Sequence, residues 1–208
     1  MIGKFIAFEG GEGTGKSTQA GMLRDALEAR GISCILTREP GGTPGAEAIR
    51  ALVLDPALPK WDIEAEALLF AAARSDHVAH LIRPALEREQ WVICDRFVDS
   101  SRAYQGAAGG LGDEAVLAMH RLGSGGLLPD LTLLLEVPGR ISSQRTAARD
   151  AGGSDKIGGR PASFHEEVTT AFAEFAEAEP QRFRRIDGEG PPAEIHARVM
   201  TAVAALLP

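Results

Sequence analysis

The chain has 208 residues, of which 44% are hydrophobic and 25% are charged, a balance typical of a globular protein. Its formal net charge of −7 argues against nucleic acid as the main partner, because a phosphate polymer requires a basic face. No stretch approaches the roughly 20 apolar residues that span a bilayer, and Met1–Glu9 lacks the cleavage region of a signal peptide. We therefore expect a cytoplasmic protein with no membrane partner.

A phosphate-binding loop follows the first predicted strand. The apolar run Lys4–Glu9 predicts a buried strand, and Thr18–Arg30 predicts a helix. The loop between them has the full spacing of glycine, four residues, glycine, lysine and serine: Gly10, Gly11, Glu12, Gly13, Thr14, Gly15, Lys16 and Ser17. Its glycines let successive N–H groups face one anion, Lys16 reaches the outer phosphates, and the Ser17 hydroxyl can ligate Mg²⁺. The loop therefore predicts a nucleotide site.

One acid lies inside this anion-binding loop. The Glu12 carboxylate would repel a phosphate unless its side chain turns toward a donor such as a sugar hydroxyl, an arginine or a metal-bound water. The alternative is a solvated side chain at the mouth of the loop. The loop by itself leaves both interpretations open.

The next part of the chain changes from strand to loop to helix. Residues Ser33–Thr37 are predicted to form a second strand, and the glycines and prolines of Arg38–Gly45 predict a loop. Helical periodicity resumes near Ala46 and again over Ile63–Glu89, where Pro84 is expected to kink the helix or end a turn.

A third strand, Trp91–Cys94, is followed by a polar stretch through Gln105 and by glycine-rich residues. The remaining elements are predicted, in order, as a helix Asp113–Leu122, a strand Leu131–Val137, a helix Arg140–Arg149, a loop Asp150–Ser163, a helix Phe164–Glu179, a strand Arg182–Ile186 and a helix Ala193–Leu207. Because the loop at about 150–163 is rich in glycine and charge, it predicts a mobile lid.

The alternation of strands and helices predicts an α/β fold for a single domain spanning residues 1–208. Its parallel, five-stranded sheet would be flanked by helices on both faces, as in the three-layer sandwich of P-loop proteins. Ligands bind such sheets at the carboxyl ends of the strands, where Glu9, Arg38 and Asp95 lie. The thiols of Cys34 and Cys94, in apolar runs that look like central strands, are expected to be buried and reduced.

Two charged residues follow the third strand. Asp95 occupies the place where P-loop proteins hold Mg²⁺ or its waters opposite the loop Ser17, although strand-end acids also have purely structural roles. Arg96 would project into the phosphate site and bind an acceptor phosphate through two N–H groups. The structural alternative for Arg96 is a salt bridge to Asp99 or Glu39.

Three segments resemble bacterial thymidylate kinases, a family of P-loop nucleoside monophosphate kinases. They are the loop Arg38–Thr43, the helical stretch Leu69–Arg74, and the run Asp95, Arg96, Phe97 with Ser100, Ser101, Ala103, Tyr104, Gln105 and Gly106 after it. The similarity runs from the first strand to the last helix. The resemblance implies transfer of the γ-phosphoryl group of ATP to dTMP, giving dTDP and ADP, with Mg²⁺ as cofactor and a homodimer as the assembly.

The resemblance also implies roles for individual residues. It assigns Glu12 to the 3′-hydroxyl of the acceptor sugar, Phe70 to stacking on thymine, and Arg74 to a thymine carbonyl. Ser101 and Gln105 would line the base side, and Tyr104 would crowd the 2′ position. The dTMP site as a whole would comprise Glu12, Arg38, Pro40, Phe70, Arg74, Arg96, Ser101, Tyr104 and Gln105. Without the resemblance, Phe70 and Tyr104 read as packed rings and Arg74 as the partner of a neighbouring acid.

The implied catalytic set is Lys16, Arg96 and a cation from the lid, with Ser17 and Asp95 for the metal. The family takes this extra cation from the P-loop or from the lid, and Gly13 stands at the loop position, so the lid must supply it. In the lid, Lys156 stands where the family pattern has arginine, and Arg160, Arg149 or Arg145 could act instead. Arg145 and Arg149 join residues 10–18, including Thr18, in the expected ATP site.

Two other functions compete with this hypothesis. A kinase for another nucleoside monophosphate would share the fold and differ in the pocket of Phe70, Arg74 and Tyr104. A nucleotide-dependent regulatory module would use the same loop without turning over a metabolite. A guanine-reading motif of such a module contains asparagine, and the chain has none, whereas an ATP-dependent module would share the P-loop without that motif.

Overall fold

A computed structural model of the protein describes residues 3–149 and 155–208, without the side chains of 143 and 146–149. The strands are β1 Phe5–Glu9, β2 Cys34–Arg38, β3 Trp91–Asp95, β4 Leu131–Glu136 and β5 Phe183–Asp187. The helices are α1 Lys16–Glu28, α2 Pro44–Leu54, α3 Ile63–His77, α4 Arg83–Glu87, α5 Val98–Ser101, α6 Asp113–Ser124, α7 Gly139–Arg149, α8 Ala162–Ala178 and α9 Pro192–Val203. Among these described elements, no helix has the length and apolarity to cross a bilayer.

The five strands form one parallel sheet in the order β2-β3-β1-β4-β5, which confirms the predicted fold class. The side chains of β1 point alternately to the two faces of the sheet, because the side-chain period of a strand is two residues. Ile6 and Phe8 pack in one core cluster with Leu23 and Leu27 of α1. Phe5 and Ala7 pack in another cluster with residues from the other face, Val78, Ile82, Ala85, Phe97 and Val98.

The long helical segment after residue 62 changes its hydrogen-bonding pattern just before its proline. A π-helical turn, Val78–Ile82, lies between α3 and α4, and Pro84 falls in the first turn of α4. Proline lacks an N–H donor and its ring crowds the preceding turn, so a wider turn just before it accommodates the ring. The segment therefore continues as one helical path rather than ending there.

One stretch without a predicted element is helical, and one prediction of burial was wrong. The polar stretch after β3 is helical, as α5 followed by a π-helical Arg102–Ala107, because Val98, Ala103 and Tyr104 are buried there against the core. Cys34 is only half buried because β2 is an edge strand, whereas Cys94 on the inner strand β3 is fully buried as predicted. Both cysteines are free thiols.

Candidate active site

The phosphate-binding loop joins β1 to α1 at the carboxyl edge of the sheet. Gly10 has a φ of 138° and would collide with the Leu135 carbonyl if it carried a Cβ, and Gly15 enters the helix with a φ of 93°. Inside the curl, the Lys16 ammonium donates to the carbonyls of Gly10 at 3.1 Å and Gly11 at 2.7 Å. Thr14 is buried and donates to the Gly11 carbonyl, while Thr18 is exposed on α1. The loop thus curls around the ammonium group of Lys16.

The charge state of Lys16 is tuned by its surroundings. Burial, followed by the positive charge of Arg96, lowers the pKa of Lys16 to about 8. A bound phosphate would oppose both effects because it adds negative charge beside the ammonium.

Ser17 and Asp95 meet at the same edge. Parallel pairing places Asp95 of β3 beside Phe8 of β1, and the Ser17 hydroxyl donates to a carboxylate oxygen of Asp95. A hydroxyl and a carboxylate are hard oxygen ligands, and Mg²⁺ usually takes one or two such protein ligands together with waters and substrate phosphates. The pair therefore fits Mg²⁺.

Arg96 is the centre of a compact polar cluster beyond the loop. It has a φ of 71°, and its guanidinium donates to Glu12 at 2.6 Å, to the Gly10 carbonyl and the Ser100 hydroxyl at 3.1 Å each, and to Tyr104 at 3.3 Å. Burial alone would lower the pKa of Arg96, but Tyr104 and Glu12 raise it above its usual value. The Glu12 carboxylate therefore turns to an arginine, one of the donors expected from the sequence, and the salt bridges suggested for Arg96 with Asp99 or Glu39 do not form.

Behind Arg96, a buried acid organises the same segment. Glu9 accepts hydrogen bonds from the backbone N–H groups of Phe97 at 2.8 Å and Ser100 at 3.1 Å, and from the Ser100 hydroxyl at 2.6 Å. Burial, together with the neighbouring Asp99, raises the pKa of Glu9 to about 7. Glu9 thereby ties the start of α5 to the end of β1.

The other end of the site is built around Arg74 on α3. Its Nε donates to Glu39 at 2.7 Å and one Nη donates to Ser101 at 2.8 Å. Glu39 is itself hydrogen-bonded to the buried His77 at 3.1 Å, which contacts Thr37 at 2.8 Å. This chain of contacts holds the guanidinium in place, and its ion pair with Glu39 agrees with the alternative given above, in which Arg74 is the partner of an acid.

A cavity of about 440 Å³ lies between these two ends. It is lined by every residue of the expected dTMP site: Glu12, Arg38, Pro40, Phe70, Arg74, Arg96, Ser101, Tyr104 and Gln105. Lys16, Ser17 and Asp95 complete its phosphate end. With Asp155 and Ile157, which also line it, residues from five separate parts of the chain are brought together around one cavity.

Arg50 also lines this cavity and had no role in the sequence analysis. It lies on α2, donates to the Pro40 carbonyl at 2.7 Å, and has its pKa lowered by burial and by the charge of Arg38. Arg38 is bound to Glu47 at 3.0 Å. The signal that could have found Arg50 is its position on the helix that directly follows the proline- and glycine-rich loop.

The four candidate lid cations lie in different places. Lys156 donates to the Pro59 carbonyl at 2.9 Å and Arg160 to Glu66 at 2.5 Å, and neither residue lines the cavity. Arg145 lies beside the phosphate-binding loop, with one Nη 3.9 Å from the position that a Cβ of Gly15 would take. The side chain of Arg149 and residues 150–154 of the predicted lid lie outside the described residues.

Comparisons with known proteins agree with this geometry. The sequence model of the family described as thymidylate kinase matches residues 8–199. The thymidylate kinase of Rhizorhabdus wittichii is 54% identical over 208 residues, covering 100% of both chains, and that of Bradyrhizobium sp. (strain ORS 278) is 47% identical, covering 98% of this chain and 94% of the other. The crystal structure of thymidylate kinase from Ehrlichia chaffeensis superposes with a TM-score of 0.79 at 29% identity, covering 98% of this chain and 100% of that one. The chain therefore belongs to the thymidylate kinase family of ATP-dependent nucleoside monophosphate kinases.

Proposed function

We propose that the cavity is the dTMP site of a kinase that transfers the γ-phosphoryl group of ATP to the 5′-phosphate of dTMP. Phosphorylation of dTMP to dTDP by ATP is the activity of the family, and neither a regulatory module nor a kinase for another nucleotide fits it. The observation that carries the proposal is the single cavity that joins the loop lysine, Lys16, to the base-reading pair Phe70 and Arg74.

The base and the sugar of dTMP would be read at the Arg74 end. Phe70 supplies an aromatic face, and Arg74, held by Glu39 and Ser101, supplies a donor to a pyrimidine carbonyl. Tyr104 lies against Arg96 on the sugar side, where the tyrosine ring would leave no room for a 2′-hydroxyl. Glu12 would accept a hydrogen bond from the 3′-hydroxyl.

The acceptor phosphate would lie at the other end, among the arginines Arg38, Arg50 and Arg96 and beside Pro40. A phosphate is already anionic at neutral pH, so the reaction requires no general base. Catalysis reduces to aligning donor and acceptor and neutralising charge on the transferring group. Lys16 and Arg96 supply two of the required cations.

ATP would occupy the loop Gly10–Thr18, with its phosphates on the backbone N–H groups and on Lys16. Ser17 and Asp95 would hold Mg²⁺, which when bound neutralises phosphate charge. Arg145 is placed beside this loop and extends the ATP site toward Gly188, whose carbonyl it contacts at 3.5 Å. Arg149 is assigned to the same site from the sequence alone.

The lid at about residues 150–163 would supply the remaining cation. We expect alanine substitution of the true donor among Lys156, Arg160, Arg149 and Arg145 to lower kcat by about 10³-fold, because a cation on the transferring phosphoryl group acts only in the transition state. The other three substitutions should leave kcat nearly unchanged. Steady-state kinetics of the four variants measures this, and the lid proposal is wrong if none lowers kcat substantially.

We also propose that the chain works as a cytoplasmic homodimer. Leu52 of α2, Leu68 of α3 and Leu122 of α6 are 41%, 59% and 91% exposed, and α3 packs against both of the other helices. A second copy of the chain would remove this apolar face from water. Light scattering of the purified protein measures the mass of the assembly.

The test of the function is ADP release with ATP and Mg²⁺ against a panel of dTMP, dUMP, UMP, CMP, AMP and GMP. We expect strong preference for dTMP, with dUMP reduced by about 10- to 200-fold because it lacks only the methyl group. Arg74→Ala should lower kcat/KM for dTMP by about 10²-fold or more, because it removes the donor to the base.

Arg88→Ala is the matched control, since Arg88 is exposed and lies away from the cavity. Equal turnover of several bases by the unmodified protein, or full activity of Arg74→Ala, would contradict the assignment. Melting curves of both variants separate a loss of binding from a loss of folding.

A further inference from the structure

A buried acid lies directly behind the base end of the cavity. Glu66 lies on α3, one turn before Phe70, and is only 4% exposed to solvent. One carboxylate oxygen accepts a hydrogen bond from the amide nitrogen of Gln105 at 2.9 Å, and the other accepts from Arg160 at 2.5 Å. Glu66 does not line the cavity, and of its two hydrogen-bond partners Gln105 does.

The contact decides which end of the Gln105 amide is available to a ligand. A carboxylate can only accept hydrogen bonds, so it binds the NH₂ end of the amide and leaves the carbonyl end free. Gln105 lines the cavity, and its carbonyl oxygen accepts no hydrogen bond from the described residues. The cavity wall therefore offers an acceptor at this position.

An acceptor at the base end discriminates between pyrimidines. Thymine and uracil carry an N–H at position 3 of the ring, whereas cytosine carries an unprotonated nitrogen there that itself accepts. We infer that Glu66 is a positioning residue, which commits the Gln105 carbonyl to the N3–H of the base and thereby rejects cytosine. The inference rests on the proposed dTMP site.

Arg160 completes the arrangement from the far side. A buried carboxylate without an opposite charge is costly, and Arg160 supplies that charge while its guanidinium packs 4.5 Å from the Phe164 ring centre. Phe164 and Tyr104 are in turn ring neighbours at 6.1 Å. The start of α8 thus supports the wall that reads the base.

The test compares kcat/KM for dTMP and dCMP, with dCMP also measured as a competitive inhibitor. In Glu66→Gln the new amide both donates and accepts, so Gln105 is free to turn its NH₂ toward the cavity. We expect the preference for dTMP over dCMP to fall by about tenfold or more. The control Glu64→Gln, an exposed position two residues earlier on the same helix, should keep the preference. If Glu66 had only a structural role, the substitution would lower kcat/KM for both substrates by the same factor.

A second variant reverses the change. The double substitution Glu66→Gln with Gln105→Glu exchanges amide and carboxylate, so position 105 again can only accept, and the preference should return to within about threefold of its original value. An unchanged preference in Glu66→Gln, or no recovery in the double variant, overturns the inference. If Glu66→Gln does not fold, Glu66→Asp, which keeps the charge but shortens the reach, is judged by the same loss of preference.

The two levels of the proposal fail separately. A protein that does not phosphorylate dTMP at all contradicts the proposed function. A protein that phosphorylates dTMP, yet shows the same preference with and without Glu66, contradicts only the role of Glu66.

Discussion

Arg50 adds a third arginine to the end of the cavity where the acceptor phosphate would bind. It is half buried, lines the same cavity as Arg38 and Arg96, and lies on a helix rather than on one of the loops that carry the recognised motifs. Its lowered pKa reflects the cost of burying a guanidinium beside another cation, a cost that a bound phosphate would offset.

We expect Arg50→Ala to raise Kd for dTMP by about 10- to 100-fold, because hydrogen bonds to charged groups contribute about 1.5 to 3 kcal/mol. Binding of thymidine, which lacks the phosphate, should change little. Isothermal titration with both ligands measures the difference, and Arg88→Ala serves as the exposed control. An equal loss of affinity for thymidine would mean that Arg50 shapes the pocket instead of binding the phosphate.

Among the elements, the loop from β2 to α2 supports the base end through a chain of contacts. Gly42 lies in this loop with a φ of 89°, and a Cβ there would collide with the Thr37 hydroxyl and come within 2.6 Å of His77 Nε2. These two side chains are hydrogen-bonded to each other, and His77 in turn contacts Glu39, the partner of Arg74. The close approach leaves room only for glycine.

We expect Gly42→Ala to lower the free energy of unfolding by about 2 to 4 kcal/mol, from the left-handed conformation and from overpacking together. Gly31→Ala is the control, since Gly31 has a φ of 74° but no neighbour within 4 Å of the added Cβ. It should lose only the conformational part, about 1 to 2 kcal/mol. Urea denaturation of both variants measures the difference, and equal losses would show that packing at Gly42 is unimportant.

The whole molecule is held together by buried charges that link distant parts of the chain. Asp99 accepts from Arg102 at 2.9 Å and from Arg182 at 2.7 Å, which joins α5 to the segment before β5. Arg102 also reaches Glu179 at the end of α8. Asp99 is fully buried and shared by both arginines, so its replacement would remove the contact that joins these elements.

His120 makes the stability of the whole molecule depend on pH. Its Nε2 contacts the Leu127 carbonyl at 2.7 Å, and burial, with the charge of Arg74, lowers the pKa of His120 to about 4. The unfolded chain binds this proton near pH 6.5, so it holds more protons than the native state between pH 6.5 and 4. Stability contributed by the neutral ring is therefore present above pH 6.5 and lost as the pH falls.

We expect the free energy of unfolding to fall by about 2 kcal/mol through His120 when the pH is lowered from 7 to 5. In His120→Gln that part of the pH dependence should disappear, while His80→Gln, at an exposed position, should retain it. Denaturant titrations at the two pH values measure the effect. A pH dependence that is identical in all three proteins would contradict the buried neutral ring.

The sequence by itself determined the fold class, the phosphate-binding loop and the residue types around the cavity. These are local properties: glycine spacing sets loop curvature, apolar periodicity sets strands and helices, and parallel strands carry Glu9, Arg38 and Asp95 to one edge. Family resemblance then supplied roles that no single residue type implies.

The tertiary structure alone decided the pairings. The Glu12 carboxylate meets Arg96, and Glu66 meets Gln105 and Arg160, across 84, 39 and 94 positions of sequence. The residues after β3 became helical, against their polar and glycine-rich appearance, because burial of Val98 and Ala103 outweighs local preference. Hydrogen-bond partners depend on where distant elements dock, and neither spacing nor periodicity along the chain contains that information.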